Sequence, residues 1–125
     1  MKKVLIVEDD NILSRAINTA LTGEGYETLI AIDGEDALVK VKEFEPDLIL
    51  LDLILPKKSG EEVLAEIMKD EKTKHIPVLV ATVKSENESI SRCVELGARG
   101  YFIKAHYTLD EIADKIKQTL LGMGK

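Results

Sequence analysis

The sequence has a single cysteine, Cys93, no tryptophan, three prolines and five aromatic residues in 125. One cysteine cannot form an internal disulfide, so the fold must be held by its core, and a reducing, cytoplasmic location is expected. The aromatic content of 4% leaves little material for a base-stacking platform. Long hydrophobic runs are missing as well. The longest, Leu48 to Leu55, is broken by Asp52 and falls far short of a bilayer span. The amino terminus carries four apolar residues before Glu8, too few for a secretory signal. Basic charge is in deficit: 17 Lys and Arg against 23 Asp and Glu give a net charge of −6. No Lys/Arg run exceeds two residues, which argues against direct nucleic-acid binding. What remains is an ordinary globular composition, 45% hydrophobic and 32% charged, at a length suited to one domain.

Short apolar runs alternate with amphipathic segments. Val4 to Val7 is uninterrupted, as expected of a strand buried on both faces. Ile12, Leu13, Ala16, Ile17, Ala20 and Leu21 follow on one helical face, stopped by Gly23 and Gly25. Thr28–Ile32 reads as a second strand, and Ala37, Leu38, Val41 and Phe44 as a helix ended by Pro46. Strands are expected again at Leu48–Asp52, Val78–Ala81 and Tyr101–Ile103, with helices around Val63–Met68, Ile90–Leu96 and Leu109–Leu120. Ser59/Glu62, Ser85/Glu88 and Thr108/Glu111 each fit a capping box at a helix start. Five strand–helix units imply an α/β fold: a parallel, doubly wound five-stranded sheet covered on both faces.

In such a sheet, sites form beyond the carboxyl ends of the strands. Glu8, Asp9 and Asp10 follow strand 1, Asp52 ends strand 3, Thr82 follows strand 4 and Lys104 follows strand 5. Asp10 reads as a helix N-cap, and Asp33-Gly34 after strand 2 as an ordinary helix start. Asp52 interrupts an apolar run, where an unpaired charge would cost several kcal/mol, so it requires a partner. If strands 1 and 3 are neighbours, carboxylates converge there. They repel unless a cation or an ammonium joins them. Oxygen donors without His or Cys suit a hard ion such as Mg²⁺. A divalent ion beside a lysine and a hydroxyl would receive phosphoryl oxygens.

These residues resemble the receiver domain of bacterial two-component response regulators, of the chemotaxis-type, single-domain kind. The match spans essentially the whole chain. It rests on Val-Glu-Asp-Asp at 7–10, Asp-Leu-Ile-Leu-Leu-Asp at 47–52 with Leu-Pro at 55–56, Thr82, Gly97-Ala98, and Tyr101 with Lys104. The resemblance implies a flavodoxin-like (βα)5 sandwich with strand order 2-1-3-4-5, one receiver domain over 1–125 and no output domain. It implies Asp52 as phosphoacceptor, taking the phosphoryl group from a phosphohistidine on a histidine kinase or phosphotransfer protein. Asp9 and Asp52 would ligate Mg²⁺ directly, Glu8 mostly through water, and Ile54 through its backbone carbonyl, with Mn²⁺ as a substitute. Lys104 would pair with the phosphoryl group, and Thr82 and Tyr101 would act as the switch pair. They would bias a helix 4–strand 5–helix 5 surface for a downstream partner, for a fused output domain in a longer regulator, or for a transient homodimer; a monomer is equally compatible. No membrane partner is implied.

The sequence departs from the family at four points. Ala105 stands where the family has a cis proline; cis before alanine costs about 3 kcal/mol, so a trans bond or a strained turn is expected. Val83 is larger than usual and narrows access to Asp52. Ile54 and Lys84 occupy positions that tune dephosphorylation, and apolar Ile54 is poor at orienting water, which implies a long-lived phosphoryl group. The chain also stops after helix 5. Two other readings compete: a receiver-like interaction module that is never phosphorylated, and a small Mg²⁺-dependent aspartyl phosphohydrolase. The second usually carries an acid where Ile54 stands. A flavin carrier is set aside, because strand 1 is not followed by a phosphate-cradling loop. Cys93 is expected to be a packed core residue, and His75 and His106 to lie on the surface.

Overall fold

A computed structural model describes residues 1–83 and 87–122. The strands are β1 (Lys3–Val7), β2 (Glu27–Ala31), β3 (Leu48–Leu51), β4 (Val78–Thr82) and β5 (Gly100–Ile103). The helices are α1 (Asn11–Gly23), α2 (Gly34–Phe44), α3 (Gly60–Lys69), α4 (Asn87–Leu96) and α5 (Leu109–Gly122), and a 3-10 turn spans Lys104–His106. All strand pairings are parallel, in the order β2-β1-β3-β4-β5. This is the flavodoxin-like arrangement that the resemblance implies.

Strand side chains alternate between two core layers, because successive residues point to opposite faces of a sheet. Leu5, Val7, Ile49, Leu51, Val78 and Val80 pack against Val41 of α2, Val63, Leu64 and Ile67 of α3, and Cys93 of α4. Val4, Ile6, Leu48, Leu50, Leu79, Ala81 and Phe102 pack against Ile17 and Leu21 of α1 and Ile112 and Ile116 of α5. Both layers are almost wholly aliphatic, which is why the sequence can do without tryptophan or a disulfide.

The helix starts follow the sequence signals. The Asp10 carboxylate accepts from Ile12 N (3.0 Å) and Leu13 N (3.1 Å), and Asp33 accepts from Asp36 N (2.7 Å). The Ser59/Glu62 box is closed, as is Thr108/Glu111, with bonds of 2.9 and 3.1 Å. The Ser85/Glu88 box lies partly outside the described residues, as does Lys84. After α4, Gly97 at φ 106° turns the chain, its N–H donating to Val94 O (3.0 Å).

Each strand differs from expectation by one residue at one end or both: β1 and β5 begin one residue earlier and β4 ends one later, while β2 and β3 both stop one residue short. β2 spans Glu27–Ala31 rather than Thr28–Ile32, because β1, its only neighbour among the described residues, is paired with it from Lys3 to Val7 and Val7 faces Ala31. Ile32 lies beyond that ladder and is exposed. β3 ends at Leu51 rather than Asp52, although Asp52 N still donates to Val7 O (3.1 Å).

Candidate functional site

The register assembles the site. Val7 lies opposite Leu51, so the next residues on β1 and β3, Glu8 and Asp52, emerge side by side at the carboxyl edge. Glu8 N is anchored on Ala31 O (3.0 Å). Both side chains are buried, Glu8 to 4% and Asp52 to 6% relative exposure, while Asp9 is exposed. One carboxylate oxygen from each of Glu8, Asp9 and Asp52 falls within a 4.8 Å span.

Lys104, the first residue of the 3-10 turn after β5, closes the group. Its Nζ donates to Asp52 Oδ2 at 3.0 Å and also to Glu8 Oε1. Backbone donors add to this: Ile54 N reaches Asp52 Oδ1 (3.3 Å) and Asp10 N reaches Glu8 Oε2 (3.2 Å). Burial pushes the Glu8 carboxyl above its ordinary range, and the Asp52 charge pushes the same way, against the hydrogen bond and charge of Lys104. For Lys104 burial acts downward, but the Glu8 hydrogen bond and the charges of Asp52 and Glu8 prevail and hold the ammonium above its ordinary value. With three carboxylates to one ammonium, the site has a surplus of negative charge presented through oxygen alone. That donor set suits a hard divalent cation.

Thr82 is fully buried at the end of β4, opposite Ile103. Tyr101, opposite Val80, is half-buried against the α2–α4 core layer. Ile54 and Val83 are exposed on the two loops beside the site. None of the described peptide bonds is cis, so the Lys104–Ala105 bond is trans. The 3-10 turn at Lys104–His106, in which Tyr107 N donates to Lys104 O (3.2 Å), places the lysine without a proline. Cys93 is fully buried, and His75 and His106 are exposed, as expected.

Two glycines support the site in a way the sequence did not single out. A Cβ on Gly60 would lie 2.2 Å from the Asp52 carbonyl oxygen, and one on Gly34 would lie 2.1 Å from that of Lys58. Gly60 N donates to Leu53 O (2.9 Å) and Gly34 N to Pro56 O (3.3 Å), so the loop after β3 is held from both sides. Asp33-Gly34 gave a legible signal for a helix start and none for this contact.

A profile of the response regulator receiver domain matches residues 4–117. The chain is 35% identical over 103 residues to the DNA-binding response regulator MtrA of Mycobacterium tuberculosis (strain ATCC 25618 / H37Rv), covering 82% of this chain and 44% of MtrA. It thus spans about half the length of the curated relatives it matches. Among solved structures, a CheY-like receiver domain protein from Methanospirillum hungatei JF-1 superposes with a TM-score of 0.90 at 28% identity, covering 96% of this chain and 94% of that one. The Mn²⁺-bound form of the response regulator Rcp1 superposes at 0.80 with 34% identity, covering 98% and 91%. No described helix is long and apolar enough to cross a membrane.

Proposed function

The chain belongs to the response regulator receiver domain family, and from that premise we propose that Asp52 is its phosphoacceptor in a two-component or phosphorelay system. The observation that carries this reading is the placement of Asp52: a buried carboxylate bonded to Lys104 Nζ at 3.0 Å, with Glu8 and Asp9 beside it. One Asp52 oxygen attacks the phosphorus of a phosphohistidine on a histidine kinase or phosphotransfer protein. An O–P bond forms, the P–N bond breaks, and its electron pair stays on the imidazole. The chain's work is positioning and charge neutralisation, which is most of what phosphoryl transfer asks of a protein.

The residues that would hold Mg²⁺, or Mn²⁺ in its place, are Asp9, Asp52, the Ile54 carbonyl and, through water, Glu8. Such an ion supplies positive charge against the phosphoryl oxygens as their charge develops. Lys104, already bonded to Asp52, turns from the carboxylate pair to the incoming phosphoryl group. Thr82 donates its hydroxyl to that group, and Tyr101 repacks behind it, altering the surface of α4, β5 and α5 for a downstream protein or output domain. In this reading the chain is a signalling phosphoacceptor rather than a turnover enzyme.

The test is intact mass after incubation with acetyl phosphate and Mg²⁺. One added phosphoryl group is expected, absent without Mg²⁺ and absent in Asp52→Ala. If neither acetyl phosphate nor beryllofluoride engages Asp52, the phosphorylation-independent module replaces this reading.

A further inference from the structure

Beneath the carboxylate cluster, on the α1/α5 side of the sheet, lies a cavity of about 290 Å³. Its walls are Ile6, Leu50 and Ala81 from the sheet, Ile17 from α1 and Ile112 from α5. On the sheet side Ala81 contributes only a methyl group to the wall. Its β5 partner, Phe102, does not line the pocket and packs its ring against Tyr107, which does (centroids 4.7 Å apart). The aliphatic part of this pocket offers an apolar body dispersion partners and removes its surface from water.

One end of the cavity is polar. Glu8, Asp52 and Lys104 line it, all with largely buried side chains. Two carboxylates and one ammonium leave that end negative, with Asp9 adding to it from outside.

We propose that this cavity is a binding site for a small cationic amphiphile: an apolar body, of the size of one aromatic ring and a short arm, seated among Ile6, Ile17, Ala81 and Ile112, with an ammonium head on Glu8 and Asp52. In the metal-free protein two carboxylates outweigh the one ammonium of Lys104, so an anionic head is disfavoured there. Because the head takes carboxylates that a divalent cation would also use, the two ligands compete, and an occupant would hold the protein in a cation-free state. The cavity and its charge do not depend on Asp52 accepting phosphate, whereas the competition with a divalent cation rests on the cation site proposed above.

The experiment is methyl-detected NMR titration of the metal-free protein with phenethylamine, phenylacetate and toluene. Phenethylamine is expected to give saturable shifts at Ile6, Ile17 and Ile112, with phenylacetate at least about tenfold weaker because like charges are juxtaposed. Toluene should fall between them. Saturating Mg²⁺ should weaken phenethylamine binding by about tenfold or more, as expected for competition at one charged site. Ala81→Leu, which fills the cavity from the sheet, should abolish the shifts, and Ile17→Phe fills it from α1 should the first variant not fold. Absence of saturable binding by phenethylamine overturns the proposal. So does equal binding of phenylacetate, indifference to Mg²⁺ at a concentration shown by separate titration to be bound, or shifts that persist in a folded cavity-filled variant.

Discussion

Asp52 and Lys104 sit 3.0 Å apart, yet their replacement should move stability in opposite directions. Burial holds the Glu8 carboxyl above its ordinary range, and the Asp52 charge beside it pushes the same way. Asp52→Asn removes one negative charge, keeps the shape and leaves the Lys104–Glu8 pair in place. We expect the metal-free variant to be more stable by about 1 kcal/mol. Lys104→Met leaves two buried carboxylates facing each other and should cost about 2 kcal/mol at neutral pH. Urea denaturation in chelator checks both, and destabilisation by Asp52→Asn would refute the electrostatic account.

The pH dependence follows from the same pair. A raised carboxyl means that the folded chain holds the Glu8 proton after the unfolded chain has lost it. The contribution is therefore full below 4.5 and is lost as pH rises through the raised folded value. The stability of wild type relative to Glu8→Gln should decline across that window and then level off. The Lys104 contribution is full below 10.5 and fades only as pH climbs through its raised value. Ile54 carries a further residue-scale expectation. It is exposed beside Asp52, and its apolar side chain cannot align a water for attack on an acyl phosphate. The phosphoryl group should therefore outlast seconds in a mass-spectrometric chase, and Ile54→Asn should shorten its life several-fold.

Between elements, the decisive contacts are backbone on backbone. The Gly34 Cα, at the first residue of α2, lies so close to Lys58 O that any side chain must displace the loop after β3. That loop carries the Ile54 carbonyl proposed as a cation ligand. Gly34→Ala should cost about 1–3 kcal/mol, as overpacking against rigid neighbours does, and weaken Mg²⁺ binding with it. Gly23→Ala, at the end of α1 with nothing within 4 Å, should instead stabilise by about 0.5 kcal/mol and leave Mg²⁺ affinity unchanged. Denaturation midpoints and Mg²⁺ titrations of the two variants separate loop placement from a general glycine effect. This is also where the sequence was least legible. Strands buried on both faces, capped helices and the carboxylates at strand ends announce themselves in local pattern, and so did most elements and the acidic site. A glycine pressed on a loop 24 residues away leaves no local mark. Nor does the 3-10 turn after β5: its lysine is drawn to Asp52 and Glu8, 52 and 96 residues distant in sequence. The one-residue shift of β2 has the same origin, since pairing with β1, rather than the apolar run ending in Ile32, sets where the strand stops.

At the scale of the molecule, two aliphatic layers stabilise the sheet while the carboxylate cluster at one end opposes them. A ligand that binds only the native state adds RT ln(1 + [L]/Kd), about 2.7 kcal/mol at a hundredfold excess over Kd. For a domain of this length that corresponds to a rise in Tm of about 10 °C. The chain carries a net charge of −6, so any salt will relieve some repulsion by screening, which acts on exposed charges far more than on buried ones. The informative comparison is therefore Mg²⁺ or Mn²⁺ against NaCl at matched ionic strength. If Glu8, Asp9 and Asp52 form a cation site, the divalent ions should raise Tm by several degrees beyond NaCl. Chelator should reverse the gain, and Asp52→Asn, already relieved of one charge, should show little of it. Equal shifts for divalent and monovalent salts would mean that the cluster binds no cation, and the phosphoacceptor reading would lose the charge neutralisation on which it depends.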